Sequence, residues 1–169
     1  MTPPRVLVAG VGNIFLGDDA FGVAVVRRLA GRPLPDGVQV IDFGIRGIDL
    51  AYAMLDGYDA IILVDAVPRG GEPGTLYVIE PHDGGEPAGP DALVATHDMD
   101  PVKVLRLVRA LGGRPAWLRL VGCEPATLEP GEETLALSPP VQAAVDGAVG
   151  LIESLIGEFI RDTEHRCTS

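Results

Sequence analysis

The run of residues 59–66, Asp-Ala-Ile-Ile-Leu-Val-Asp-Ala, constrains the fold most, because it is an aliphatic segment that runs into a carboxylate. A short apolar run between polar residues predicts a strand buried on both faces, as in the centre of a parallel sheet. Asp65 falls at the carboxyl end of this strand, which is the edge where open α/β sheets bind ligands. A carboxylate in a dry crevice needs a cation, a donor or water beside it. The sequence therefore predicts a polar site around Asp65.

Other β-rich segments flank this strand and alternate with helical patterns. Strands are predicted over residues 5–11, 38–42, 74–80 and 117–123, and helices over residues 19–29, 49–55, from 100 and from 138. Pro and Gly neighbours indicate that the strand at 74–80 lies at an edge of the sheet. The alternation predicts an α/β fold, namely a three-layer α/β/α sandwich with a mainly parallel sheet of about five strands.

The chain length and the end of the last helical pattern bound the domain organisation. A chain of 169 residues that is 47% hydrophobic suits one domain with a full core. The apolar repeat of the last helix ends near Arg161, and the residues after it are polar. We therefore expect a single domain over residues 1–162 and a flexible C-terminal tail over residues 163–169.

The charge of the chain argues against some classes of partner. The net charge is -11 and Lys103 is the single lysine, whereas nucleic acids and anionic membranes attract clustered basic residues. No apolar stretch approaches the ~20 residues that a bilayer requires. The N-terminus carries no signal-peptide pattern, so we expect a cytoplasmic protein. Cys123 and Cys167 are expected to be reduced, unpaired thiols.

Two acids open the helix that follows the first strand. Asp18 is a candidate N-cap, and Asp19 in the first turn could serve only to complement the helix dipole. Gly10 and Gly12 resemble part of a dinucleotide fingerprint, but the third glycine is absent and the two acids would repel a pyrophosphate. Since this turn adjoins the end of the central strand, we expect Asp19 and Asp65 on the same rim of the sheet.

His97 and Asp42 complete the set of candidate site residues. His97 precedes the helix that starts near residue 100, and Asp42 ends the second strand. Alone, a loop histidine such as His97 could be an ordinary hydrogen-bonding side chain. Together with Asp19 and Asp65 it offers oxygen and nitrogen ligands that suit Zn, Ni, Co or Mn, with coordination positions left open. A G-x-S-x-G nucleophile motif and a supported Cys–His pair are both absent from the sequence.

Residues 8–23, with Gly-Val-Gly-Asn followed by Gly-Asp-Asp-Ala-Phe-Gly, resemble the first signature of the hydrogenase maturation endopeptidases. Further segments match that family in order: residues 63–66, residues 73–75, the His97 loop, residues 121–125 and residues 137–139. The resemblance runs from Arg5 to Ile156. It implies an endopeptidase that removes the C-terminal extension from the large-subunit precursor of a nickel–iron hydrogenase.

The resemblance also assigns residue roles. It implies that Asp19, Asp65 and His97 contact a nickel ion that the precursor carries and that licenses cleavage, with Zn or Cd as a surrogate ion. Asp19 and Asp65, with Asp42, are the candidate catalytic residues of an aspartyl-type or metal-dependent peptidase. The family commonly has a G-T-x-G loop where this chain has Gly-Ile-Arg-Gly, which makes Arg46 a candidate contact for the substrate tail.

A second hypothesis is a non-catalytic metal- or nucleotide-binding module of the flavodoxin-like kind. A nucleotide binder needs a phosphate-binding nest of backbone amides and has no use for three converging ligands. The two hypotheses therefore differ at Asp19, Asp65 and His97.

Overall fold

The computed structural model describes residues 2–81, 101–126, 128 and 136–168. The strands are β1 (Val6–Val11), β2 (Val38–Gly44), β3 (Ala60–Ala66), β4 (Leu76–Ile79) and β5 (Leu118–Cys123). The helices are α1 (Phe21–Ala30), α2 (Gly47–Met54), α3 (Pro101–Ala110) and α4 (Pro139–Cys167), and a 3-10 turn (Gly17–Ala20) precedes α1. His97 lies outside the described residues.

The five strands form one sheet in the order β2-β1-β3-β5-β4. β1, β2, β3 and β5 are parallel, and β4 pairs antiparallel with β5 at one edge. All seven residues of the central strand β3 are buried. The predicted α/β fold with a mainly parallel sheet and the edge position of the fourth strand are confirmed.

The two faces of the sheet carry separate hydrophobic clusters. Because side chains alternate along a strand, Ile62 and Val64 face one side of β3 while Ile61 and Leu63 face the other. The first side packs against α1 and α4, and the second packs against α2 and α3. These helices on both faces give the predicted three layers, with β3 in the middle of the core.

Glycines let the start of α1 approach the sheet closely. A Cβ atom on Gly22 would lie 2.1 Å from the carbonyl oxygen of Val64 and 2.4 Å from that of Val11. Gly12 has a φ of +135°, and a Cβ there would lie 1.8 Å from the carbonyl oxygen of Asp19. Side chains other than hydrogen would clash at these positions, so the turn that carries Asp19 rests directly on the ends of β1 and β3.

The C-terminal segment differs from the expectation. The sequence predicts a flexible tail from residue 163, whereas α4 continues to Cys167. Residues 163–167 contain no Pro or Gly to stop the helix, and His165 and Arg166 complement the helix dipole at this end. The residues beyond the apolar repeat are therefore mostly exposed but helical. Among the residues that the structure describes, no helix is both long enough and apolar enough to cross a membrane.

Candidate active site

Asp19 and Asp65 lie at the same edge of the sheet. Gly10 pairs with Val64, so the next residues, Val11 and Asp65, neighbour each other on strands about 4.8 Å apart. The backbone of Asp19 rests on Gly12, one residue further along. Asp19 is 6% exposed and Asp65 is 7% exposed. The carboxyl edge of the sheet thus carries two buried acids on adjacent elements.

Backbone amides orient both carboxylates. The Asn13 amide donates to Oδ2 of Asp19 at 2.7 Å, and the Ala66 amide donates to Oδ1 of Asp65 at 2.8 Å. Hydrogen bonds to a charged acceptor are short and strong, and they hold a side chain in one orientation. A carboxylate accepts at about four positions, so one backbone bond orients Asp19 without exhausting its capacity for a ligand.

The third predicted metal ligand is His97, which the structure leaves outside the described residues. Within residues 2–81, 101–126, 128 and 136–168, no group of three or more His, Cys, Asp or Glu side chains could hold a metal ion. The described part of the chain contains two of the three predicted ligands, Asp19 and Asp65, and their binding of a metal ion stays a prediction. The role of His97 stays a prediction.

Asp42 does not join the two buried acids. Phe43 packs in the cluster under α2 and α3, so the preceding side chain, Asp42, faces α1. There it forms an ion pair with Arg27 at 3.2 Å. Asp65 follows Leu63 by two residues and so shares the face toward α2 and α3. The structure therefore places Asp42 two strands away from Asp65 and on the opposite face of the sheet.

Arg46 folds back onto its own loop. Its guanidinium donates to the carbonyl oxygens of Asp42 at 2.5 Å and Phe43 at 3.3 Å. It also lies 3.5 Å from the carboxylate of Asp49. More than half of the Arg46 side chain remains exposed. Arg46 thus closes the loop after β2, while its predicted contact with a substrate tail stays a prediction.

The prediction that Asp18 caps α1 is wrong. The N-cap of α1 is Ala20, because the 3-10 turn delays the start of the helix. The Asp18 side chain is fully buried and accepts hydrogen bonds from the amides of Ala126 and Ser138, both at 2.7 Å. The Ser138 hydroxyl also donates to it at 2.8 Å. These partners lie more than 100 residues away along the chain, so local sequence patterns gave no sign of them.

Glu124 is a buried acid that the sequence reasoning passed over. It directly follows the last residue of β5, and it is 5% exposed. It accepts hydrogen bonds from the amides of Arg69 at 2.8 Å and Gly70 at 3.1 Å, and from the Tyr77 hydroxyl at 2.9 Å. Burial and this bond to Glu124 raise the pKa of Tyr77. Glu124 therefore anchors the loop that leaves the Asp65 strand. The signal available in the sequence was an acid directly after a buried strand.

Cys123 and Cys167 are both free thiols, as predicted, but their environments differ. Burial, followed by the negative charges of Asp18 and Glu124, raises the pKa of the Cys123 thiol to about 11. Since thiolate is the nucleophilic form, Cys123 is a poor candidate nucleophile at neutral pH. Cys167 is exposed near the end of α4.

We expect iodoacetamide at pH 8 to modify Cys167 while Cys123 in the folded protein stays unmodified. The reason is that Cys123 is buried and that its raised pKa of about 11 keeps the thiol protonated at pH 8. Peptide mapping by mass spectrometry measures the two sites separately, and the same treatment in denaturant is the control that exposes both. Rapid modification of Cys123 in the native protein would contradict the assigned burial.

Comparisons with known proteins give one consistent family. Residues 23–155 match the family model described as hydrogenase maturation protease. The chain is 36% identical to the hydrogenase 2 maturation protease of Escherichia coli over 156 residues, which cover 91% of this chain and 92% of that protein.

Solved structures agree. The hydrogenase maturating endopeptidase from Escherichia coli superposes with a TM-score of 0.75 at 32% identity, over 91% of this chain and 93% of that one. The hydrogenase 2 maturation peptidase from a Thaumarchaeota archaeon superposes with a TM-score of 0.65 at 37% identity, over 90% and 98% of the two chains. Both the sequence and the fold of this chain are therefore similar to those of peptidases.

Proposed function

Because this chain belongs to the hydrogenase maturation protease family and is therefore a peptide hydrolase, we propose that it removes the C-terminal extension from the large-subunit precursor of a nickel–iron hydrogenase. The observation that carries this proposal is the pair of buried acids, Asp19 and Asp65, at the carboxyl edge of the sheet. In this proposal the enzyme acts in the cytoplasm, on a precursor that already holds its nickel ion.

Nickel is part of the substrate in this scheme. Asp19 and Asp65 present two oriented carboxylates, and His97 supplies the third ligand. Carboxylate and imidazole donors suit nickel, and Zn or Cd could replace it in binding studies. Such recognition depends on a ligand set that is incomplete in either partner alone, so an immature precursor without metal is rejected.

Peptide hydrolysis also needs a group that takes a proton from the attacking water. The carboxylates of Asp19 and Asp65 can serve as this base, because both lie at the rim where we propose that the substrate binds. Asp42 instead forms an ion pair with Arg27 on the other face of the sheet. We therefore place the acid–base step on the Asp19 and Asp65 pair. A metal-dependent enzyme would use the nickel ion to polarise the scissile carbonyl, whereas an aspartyl-type enzyme would use the two carboxyl groups alone.

The test is incubation of the purified protein with nickel-loaded precursors of hydrogenase large subunits encoded in the same genome. Intact-mass spectrometry should show one precursor shortened at its C-terminus, with a matching released peptide. Asp146→Asn is a matched control because Asp146 is an exposed partner of Arg28, far in sequence from the site acids. Binding of all cognate precursors without cleavage would favour the non-catalytic binding module.

We expect Arg46→Ala to raise the KM for the precursor more than it lowers kcat. Loss of one charge-assisted hydrogen bond to the tail corresponds to about a tenfold rise in KM. Binding that is equal in the ground and transition states affects KM alone, so steady-state kinetics on the precursor distinguish the two roles.

The matched control for Arg46→Ala is Asp49→Asn, which removes the ion-pair partner but keeps the guanidinium. If Asp49→Asn raises KM equally, the effect of Arg46 comes from the shape of its loop and not from contact with the tail. A fall in kcat alone would instead place the loop in the chemical step.

A further inference from the structure

A buried contact joins the turn that carries Asp19 to the opposite half of the chain. Asp18, which is 0% exposed, accepts hydrogen bonds from the amides of Ala126 and Ser138 and from the Ser138 hydroxyl, at 2.7 to 2.8 Å. Ala126 lies just after β5, and Ser138 is the N-cap of α4. One carboxylate therefore links the 3-10 turn to two segments that lie more than 100 residues further along the chain.

Asp18 and Asp19 are consecutive residues of one short 3-10 turn, but their side chains have different partners. Asp18 binds the segments around β5 and α4, whereas Asp19 accepts the amide of Asn13. The Asp19 amide itself donates to the carbonyl of Leu16 at 3.1 Å, inside the same turn. Since the turn is this short, an anchor on Asp18 also restricts where Asp19 can lie.

We infer that Asp18 is a positioning residue of this peptidase, which holds the Asp19 carboxylate in place by anchoring the 3-10 turn to the start of α4. This inference rests on the proposed function, because Asp19 is the site residue that is positioned. It goes beyond a role in stability, because it assigns to Asp18 an effect on the geometry of a neighbouring side chain. Asp18 itself is fully buried among its partners on Ala126 and Ser138, so the inference assigns it no contact with the substrate.

Asp18→Asn is the informative substitution. Asparagine keeps the shape of the side chain, but its amide nitrogen is a donor and would face one of the donors on Ala126 or Ser138. A buried donor without an acceptor is unfavourable, so the turn should shift to relieve it. Ser138→Ala removes the hydroxyl donor alone and is the milder change.

The first measurement is independent of activity. The Asn13 amide proton bonds to Asp19 at 2.7 Å, so its NMR resonance reports the position of the Asp19 carboxylate. We expect Asp18→Asn to move this resonance toward the position of an amide proton that has no carboxylate acceptor, as the bond to Asp19 weakens, and Ser138→Ala to move it part of the way. Ile152→Val, a mild change in the core of α4, is the control for general destabilisation and should leave the resonance unchanged.

The second measurement is turnover of the precursor. Changing an outer partner of a ligating group typically lowers activity about 10- to 100-fold, and we expect kcat in Asp18→Asn to fall by that amount. KM should rise by a smaller factor than kcat falls, because Asp19 is only one of the three proposed nickel ligands and the loop of Arg46, the proposed tail contact, is unchanged. Replacement by glutamate, which restores the charge at the wrong length, should not rescue kcat.

The inference is overturned if the Asn13 resonance stays in place in both Asp18→Asn and Ser138→Ala. It is also overturned if kcat falls no further than in Ile152→Val. Should Asp18→Asn fail to fold, Ser138→Ala decides the question by the same two readouts. If the wild-type protein cleaves no precursor, the proposed function fails, and the Asn13 resonance still tests the anchoring of Asp19 separately.

Discussion

Asp19→Asn should reduce precursor processing by at least about 100-fold, the lower end of what a positioned acid or base contributes to catalysis. The substitution removes one of two buried negative charges at the rim while its side-chain oxygen can still accept the Asn13 amide. In the proposed function, both the binding of the precursor's nickel ion and the proton transfer depend on that charge. Single-turnover assays on nickel-loaded precursor measure the loss directly.

Stability should hardly change in the same variant. The backbone bond is retained and the volume is equal, so we expect the Tm to shift by less than about 4 °C, equivalent to about 1 kcal/mol for a chain of this size. Asp146→Asn removes the same charge from an exposed ion pair and should keep full activity. Wild-type processing by Asp19→Asn would remove Asp19 from both the metal-binding and the catalytic roles.

The sheet could be predicted from the sequence because its signals are local. An apolar run as short as that of β3, bounded by polar residues, favours a buried strand over a helix, and Pro and Gly mark the edge strand β4. The first residue of α1 could not be predicted with the same accuracy. Gly22 approaches the carbonyls of Val11 and Val64 closely, and this tertiary contact accompanies the 3-10 turn that precedes α1. Local sequence patterns do not encode such a contact.

The site shows the same division between local and long-range signals. The common location of Asp19 and Asp65 could be predicted because the carboxyl ends of adjacent parallel strands share one rim of the sheet. The same rule led to Asp42, but the alternation of side chains along β2 turns it toward Arg27, on the face of the sheet opposite to Asp65. The partners of Asp18 and Glu124 depend on how distant segments pack, which periodicity and capping rules do not encode.

Metal loading of the precursor should decide whether it is cleaved. We expect nickel-free precursor to be processed at least about 100-fold more slowly than the nickel-loaded form, which corresponds to about 2.8 kcal/mol. Two buried carboxylates gain a cationic partner when a tail bearing a divalent cation docks, whereas a metal-free tail brings no positive charge to them. Parallel time courses of the two precursor forms, followed by intact-mass spectrometry, measure the ratio.

Two controls separate metal recognition from a folding effect in the precursor. Nickel added back to the metal-free precursor should restore cleavage by the wild-type enzyme, and it should not do so for Asp19→Asn or His97→Ala. The isolated enzyme should bind Cd in calorimetry, and His97→Ala should weaken that binding, since the proposal makes His97 the third ligand. Equal cleavage of both precursor forms would refute recognition through nickel and leave the peptidase activity standing, because the buried acids could then act on the peptide bond without a metal.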